Sequence, residues 1–354
     1  MSPTSRGEAP AATITDVARR AGVSPATVSR FLSGQNVRNA EVVWRAVEEL
    51  GYAPNRLARS LKSGRTRNIG VVVPDITNPF FGAVVKGIES SSSDQAYNLL
   101  LCNTDEDAER QDHLLKTLVG AVDALILAPA IESPDAPEAL VHHRRVPVVL
   151  LDREFGDGER YDSVLVDNVG GAQQATRYLT DLGHRDIAVI SGPLNSTPGR
   201  QRHEGVEQGM RDAGHALDPN LVEIGDFRET GGYLAMKSLL ARGSMTAVFV
   251  ANNLMAAGAL RACKEVGVRI PEQLSFVCFD DLELGELIEP AITSVSRPTV
   301  AQGVLAMSLL LERLDGGAAD SAPRRCVMET RLSVRDSCSR PPESSGPPDH
   351  PSTT

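Results

Sequence analysis

Ser24-Pro25-Ala26-Thr27-Val28-Ser29-Arg30-Phe31-Leu32 is the stretch that decides how this chain is built. A serine before a helix accepts from the amides of its first turn, and proline suits that turn because its missing N–H would go unpaired there anyway. The spacing therefore predicts a helix from Pro25. Val28, Phe31 and Leu32 fall on the side to be buried, which leaves Pro25, Ala26, Thr27, Ser29 and Arg30 outside. Just upstream, Thr13-Ile14-Thr15-Asp16 has the form of a capping box, and Ile14, Val17, Ala18 and Ala21 make one apolar stripe. Gly22 and Val23 allow only a short turn, so the two helices meet steeply as a helix-turn-helix. A third helix is predicted with Val43, Ala46, Val47 and Leu50 on one face, Trp44 beside them and Gly51 as its stop. Three such helices bury one small core, and the outer face of the second carries groups suited to base edges and phosphates.

Beyond Tyr52, the run Ala53-Pro54-Asn55-Arg56-Leu57-Ala58-Arg59-Ser60-Leu61-Lys62 has Asn55 as an N-cap and Leu57 and Leu61 one turn apart. A helix this short is unstable alone in water, because nucleation is costly below about 12 residues. It should form only when something holds it. Charge separates this head from the rest: residues 1–68 carry 11 Lys/Arg against 5 Asp/Glu, or +6, so the remainder carries −16 of the total −10. A basic head on an acidic body argues for one oriented nucleic-acid surface with salt-dependent affinity.

From Ile69 the pattern becomes short apolar runs alternating with amphipathic stretches. Runs at 69–73, 97–102, 124–127 and 146–151 are separated by expected helices at 79–95, 108–119 and 136–143, which predicts a parallel sheet covered on both faces. A second series follows at 187–190, 221–224, 246–250 and 274–278, with helices at 199–213, 230–241 and 254–266. After Pro290 the chain is expected to return to the first lobe through Ile292–Val295, a helix over Thr299–Leu314 and a closing strand over Arg325–Met328. Two such lobes leave a cleft at their strand ends, where open α/β sheets hold ligands. The fold class is thus a small all-α head with a hinge helix, followed by a two-lobed α/β body of doubly wound parallel sheets. The expected layout is a disordered 1–12, a DNA-binding domain at 13–52, hinge and linker at 53–68, and a body at 69–336. Within the body, lobe one takes 69–166 and 291–336 and lobe two takes 167–290, and the Pro- and Ser-rich 337–354 should be a disordered tail.

The five cysteines are an odd count without metal-ligand spacing, so neither a disulfide framework nor a metal site is expected, and reduced thiols point to cytosol. No apolar run is long enough to cross a membrane, and 1–12 lacks the order of an export signal. No glycine-rich phosphate loop or nucleophile–base constellation argues for an enzyme or a cofactor. Gly183-His184-Arg185 reads as structural.

Taken together, Thr15-Asp16-Val17-Ala18, Ala21-Gly22-Val23-Ser24, Thr27-Val28-Ser29-Arg30, Gly51-Tyr52-Ala53-Pro54-Asn55 and Ala58-Arg59-Ser60-Leu61 resemble the head of the lactose/galactose repressor (LacI-type) family. The loop Ser33–Asn39 is shorter than the family pattern. The resemblance extends over nearly the whole chain, and its body is similar to periplasmic sugar-binding proteins. It implies a homodimeric repressor in the cytoplasm, at the nucleoid, on a pseudo-palindromic double-stranded operator, with a small-molecule effector and no membrane partner. The second helix would enter the major groove, and Leu61 would wedge into the minor groove. Candidate DNA-binding residues are Thr13, Thr15, Ser24, Pro25, Ala26, Thr27, Ser29 and Arg30 in the head and Asn55, Arg56, Ala58 and Leu61 in the hinge. Candidate effector-binding residues are Asp75, Phe80, Phe81, Asp152, Asp167, Arg202, Phe227, Asn253 and Asp280. Arg202, by register the family's effector-gripping arginine, can fork a carboxylate or two vicinal hydroxyls. Asn253 stands where the family motif has Asp, and an amide that both donates and accepts shifts the expected effector away from an ordinary neutral sugar. A solute-binding transport receptor is the alternative, sharing the body but having no use for Thr13–Leu61.

Overall fold

Thr13 opens the head as its sequence predicts: its amide donates to Asp16 Oδ2 at 3.0 Å while its hydroxyl accepts from the Asp16 amide at 3.3 Å. The computed structural model describes residues 12–32, 34–52, 65–92, 97–130, 132, 146–155, 160–316 and 321–342. They fall into two units that divide after Thr66. The hinge candidates Asn55, Arg56, Ala58 and Leu61 and the expected helix at 136–143 lie outside the described residues.

In the head, α1 (Ile14–Ala21) ends on Gly22, whose φ of 65° is the left-handed conformation that closes a helix. α2 (Pro25–Leu32) is capped by Ser24, which accepts from the Thr27 amide at 3.2 Å. α3 (Ala40–Glu49) completes a core of Val17, Ala18, Ala21, Val28, Val43 and Ala46. Trp44, beside that face, is 53% exposed, since helical spacing turns it away from the Val43 and Ala46 side.

The body holds two six-stranded sheets. The first is ordered β11-β5-β4-β3-β1-β2 and all parallel, from β1 (Asn68–Val73), β2 (Asn98–Asn103), β3 (Ala124–Leu127), β4 (Val148–Leu151), β5 (Asp162–Val166) and β11 (Arg325–Met328). Alternation along the strands feeds both faces: Val71 and Val73 pack toward α4 (Pro79–Ser92) and α10 (Thr299–Leu314), while Val72 packs toward α5 (Ala108–Leu118). α4 and α10 cross closely. A Cβ on Gly87 would lie 2.1 Å from the Val300 carbonyl oxygen, and one on Gly303 would lie 2.0 Å from that of Val84.

The second sheet is ordered β12-β10-β9-β8-β6-β7, from β6 (Ile187–Ser191), β7 (Val222–Ile224), β8 (Ala247–Val250), β9 (Ser275–Phe279), β10 (Thr293–Ser296) and β12 (Arg331–Ser333). β12 alone among these runs antiparallel to its neighbour. Its helices are α6 (Asn168–Asp181), α7 (Thr197–Asp212), α8 (Glu229–Arg242) and α9 (Asn253–Val266).

Two expectations are corrected here. The strand at Ile292–Val295 does not return to the first lobe; β10 pairs with β9, Ser294 opposite Cys278, and the lobe boundary moves to Arg297. Apolar periodicity marks a buried strand without naming its sheet. β12 also belongs to the second lobe, so the chain crosses between lobes near Asp167, at Arg297–Pro298 and at Glu329–Thr330. The start of the tail is ordered as well: Ser337 Oγ donates to the Phe276 carbonyl at 2.6 Å, and the Ser339 amide donates to Ser275 Oγ at 3.0 Å. Composition signalled disorder, but hydroxyls bonded to the start of β9 override it. Buried His184 joins the same seam, with Thr246 Oγ1 at 2.8 Å from Nδ1 and the Ser339 carbonyl 2.8 Å from Nε2, in keeping with a structural role.

Asp162 ties the first lobe together. It is buried and accepts from Arg313 Nε and Nη2, both at 2.9 Å, and from the Arg324 amide at 2.7 Å, joining β5, α10 and the entry to β11. Burial pushes its carboxyl pKa up, but the Arg313 and Arg324 bonds outweigh that and hold it below the ordinary value. Asp162→Asn should therefore lower stability by about 3 kcal/mol in urea denaturation at neutral pH. Because the folded-state pKa is the depressed one, that contribution is lost as pH falls through it, and wild type and variant should converge below about pH 4.

Candidate functional site

The exposed side of α2 presents Pro25, Ala26, Ser29 and Arg30 together with Ser24, and Thr27 is half-buried beside them. The Thr27 and Ser24 hydroxyls lie 2.9 Å apart, and Arg30 Nε reaches back to the Ala26 carbonyl at 3.4 Å. Thr13 and Thr15 are exposed on α1, but the Thr13 hydroxyl is committed to Asp16 at 2.6 Å. The face is a short helix with small side chains at its amino end and a cation one turn on, a shape that lets the backbone approach a groove closely.

The second site is built where strands of both lobes end. Asp152 after β4, Phe227 after β7 and Asp280 after β9 have φ of 65°, 63° and 68°. Such angles are uncommon for non-glycine residues and for a phenylalanine are strained, and strain of this kind concentrates at functional sites. Gly192 leaves room for the Phe227 ring, which a Cβ there would meet at 2.2 Å.

Between these ends lie three buried arginines. Arg297 spans the lobes: Nη1 is 2.5 Å from Asp152 Oδ1, Nε is 2.5 Å from Asp280 Oδ1, and Nη2 donates to Asp280 Oδ2 at 3.0 Å. Its guanidinium lies 3.5 Å above the centre of the Phe80 ring. Arg153 forks Glu106 at 2.6 and 2.7 Å and faces the Phe227 ring. Arg202, only 1% exposed, donates from Nε to Asn168 Oδ1 at 2.8 Å and from Nη1 to the Ala251 carbonyl at 2.6 Å, stacked on Phe279. Its Nη2 has no hydrogen-bond partner among the described residues. Burial lowers the Arg202 pKa to about 10, with Asp280 at 3.4 Å offsetting part of that, so it stays charged at neutral pH. Burial would raise Asp152, but Arg297, Arg202 and Arg153 outweigh it and hold its carboxyl below the ordinary range.

Further contacts join the lobes. Asn253 Nδ2 donates to Asn78 Oδ1 at 3.1 Å, and Arg228 Nη2 donates to the Asp105 carbonyl at 2.9 Å and to its carboxylate at 3.0 Å. The cavity left between them is ≈ 30 Å³.

Of the residues expected in the cleft, Asp75, Phe80, Phe81, Asp152, Arg202, Phe227 and Asp280 line this cavity. Phe80 and Phe81 meet edge to face at 4.7 Å and also belong to the core, so they serve as wall and anchor together. Asn253 sits beside the cavity with its amide spent on Asn78 and on the Leu254 amide. Asp167 is not in the cleft: it caps α6 by accepting from the Gly170 amide at 2.8 Å and borders a separate depression with Gln173, Arg177 and Glu329. An Asp before a helix signals a cap as readily as a ligand contact. Missed were Asn78, Glu106, Arg153, Asn252 and above all Arg297. Arg153 follows Asp152 directly, and Arg297 closes a strand that the periodicity had placed in the other lobe. Among the described residues no helix is long and apolar enough to cross a membrane, and no cluster of side chains could hold a metal ion.

The model of bacterial regulatory proteins of the lacI family matches residues 13–55, and that of a periplasmic binding protein-like domain matches 176–338. The ribose operon repressor of Escherichia coli (strain K12) is 37% identical over 308 residues, covering 86% of this chain and 93% of its own. A solved complex of the transcriptional regulator CelR with cellobiose is similar at 35% identity and a TM-score of 0.71, covering 92% of this chain and 99% of that one. The Lac repressor dimer bound to operator and the anti-inducer ONPF is similar at 26% identity and a TM-score of 0.81, over 93% and 99%. The matched head removes the transport-receptor alternative, and the family is one of repressors rather than enzymes. With a DNA-binding head and an effector-binding body both accounted for, the chain belongs to the LacI family of bacterial transcriptional regulators.

Proposed function

We propose that this repressor acts as a homodimer on a pseudo-palindromic operator and is controlled by an uncharged, hydroxyl-rich effector, a sugar or close relative, bound in the body's cleft. The observation that carries the effector class is the mixture of hydrogen-bonding groups and aromatic faces that lines the cavity. The buried Asp152 and Asp280 and the half-buried Glu106 face the guanidiniums of Arg153, Arg202 and Arg297, with Asp75, Asp226 and Arg228 also lining the cavity, while Phe80 and Phe227 supply aromatic faces. Donors and acceptors set around aromatic walls suit ring hydroxyls, and carboxylates that outnumber the guanidiniums disfavour a negative charge on the ligand. Asn253 does not argue against a neutral sugar, because Asp152 and Asp280 provide the accepting carboxylates. The relatives are consistent with this class: one is named for the ribose operon, and another was solved with cellobiose.

For the dimer, the support is apolar surface. Leu284, Leu287 and Ile288 are exposed, Leu287 at 82%, beside a groove of ≈ 600 Å³ lined in part by Leu260, Val268, Ile270 and Ile292. Exposed apolar patches of this kind mark association surfaces, and the similar Lac repressor was solved as a dimer. Two heads about one helical turn apart would read a two-fold site in the cytoplasm, where the chromosome lies. The DNA-facing candidates Thr13, Thr15, Ser24, Pro25, Ala26, Thr27, Ser29 and Arg30 meet it from the head. Residues 53–64, with Asn55, Arg56, Ala58 and Leu61, are the covalent path by which cleft state reaches it. A difference in effector affinity between two conformations, worth ~1–3 kcal/mol, is enough to change operator affinity several-fold to a hundredfold.

Three measurements test this reading. Arg202→Ala should abolish the effector-dependent change in operator affinity while anisotropy titrations of operator DNA remain at wild-type strength; an unchanged response removes Arg202 from the site. Arg30→Ala should weaken operator binding by about tenfold, within the 1–3 kcal/mol typical of a specific arginine contact, and equal loss on random DNA would reduce it to a phosphate contact. Replacing Leu287 and Ile288 by Asp should convert a dimer to a monomer in light scattering, and a persistent dimer would move the interface elsewhere.

A further inference from the structure

Arg297 occupies the cleft in the way a ligand would. Its guanidinium lies over the Phe80 ring at 3.5 Å from the centroid, with Nη1 on Asp152 of the first lobe and Nη2 and Nε against Asp280 of the second. An apolar-faced ring with hydroxyls at its rim would make the same set of contacts. With the side chain in place the cavity is ≈ 30 Å³, space for about one or two waters and not for a sugar ring. The backbone of Arg297 lies at the crossover between β10 and α10, and the following Pro298 restricts it, so rotation of the long side chain is the available motion.

We propose that Arg297 is a resident occupant of the effector cleft, latching the two lobes together by itself, and that effector binding is an exchange. Ligand hydroxyls take over Asp152 and Asp280 as the guanidinium leaves Phe80. The inference rests on the reading of this cleft as a sugar site and adds to it a competitor carried by the chain. Specificity follows from the same exchange. Once the guanidinium has left, two carboxylates face the incoming molecule, so it must donate at both edges and carry no negative charge. Arg202, whose Nη2 has no partner among the described residues, then supplies the donor for a ring or hydroxyl oxygen.

The test uses the full-length protein, Arg297→Gln and Arg297→Lys, with D-ribose and its carboxylate D-ribonate as probes in titration calorimetry. A self-occupied site loses apparent affinity in proportion to its occupancy, so Arg297→Gln should bind D-ribose about tenfold or more tightly than wild type. D-ribonate should bind neither protein. Weaker D-ribose binding by the variant would make Arg297 an ordinary ligand contact and overturn the exchange, as would tight D-ribonate binding. Hydrogen exchange without any sugar supplies an arm independent of ligand choice. Peptides spanning 75–81, 152–155 and 226–228 should exchange faster in Arg297→Gln than in wild type, with Arg297→Lys between them because an ammonium cannot fork both carboxylates. Identical exchange in proteins with the same circular dichroism would overturn the latch. If D-ribose binds neither protein, that sugar is lost to the functional reading, while the exchange rates still decide the latch.

Discussion

Two carboxylates from different sheets cannot both stay ionised across a buried gap unless a cation stands between them. Asp152 and Asp280 do so, and Arg297 is that cation. The arrangement explains several features that look separate. Each carboxylate sits at a strand end with left-handed backbone, which turns the side chain into the cleft instead of along the strand. Phe80 lies beneath the guanidinium, where its ring face partly replaces the water the cation has lost. Pro298 and α10 follow at once, so the residue that joins the sheets electrostatically is also the one at which the chain changes lobes.

Buried ion pairs seldom add much stability, because desolvating both partners costs about as much as their attraction returns. The cleft is therefore better understood as poised than as strongly closed. Arg153 holds Glu106 with its two terminal nitrogens, and Arg297 is held between two aspartates. Arg202 is the exception, held by Asn168 and a backbone carbonyl, with Asp280 further off at 3.4 Å. Of the other contacts between the lobes, Asn78 with Asn253 is buried, whereas Arg228 with Asp105 is exposed and of the kind that exchanges readily with water. A ligand that matches the buried donors and acceptors needs to outdo only a modest net energy to rearrange the lobes.

Much of this was legible in the residues, and what was not has physical causes. The head could be read because local chemistry specifies it: Thr13 and Asp16 cap one helix, Gly22 ends it, and Ser24 with Pro25 starts the next. Most of the cleft aspartates and phenylalanines could be found because they follow apolar runs, and strand ends are where these sheets bind. Arg297 was missed because period-two burial is the same in either sheet, so the strand before it carried no sign of its lobe. Asp167 was over-read for the converse reason, since a capping carboxylate and a ligand-facing one look alike before folding. The ordered start of the tail depended on Ser275, Phe276 and His184, partners more than sixty residues away that composition does not register.

The division of charge suggests why the body can act as a sensor without disturbing the head's own stability. Among the described residues the head's capping box joins Thr13 to Asp16, its core is drawn from Ile14 to Tyr52, and none of its cations belongs to that core. Its grip on a phosphate backbone is then additive over Lys and Arg contacts, whereas two-fold recognition depends on how two heads are held. A body whose lobes are joined by exchangeable polar contacts can alter the second term and leave the first alone. That predicts an effector acting on specific binding much more than on non-specific affinity, which is the division a repressor needs if it is to stay near the chromosome while leaving its operator.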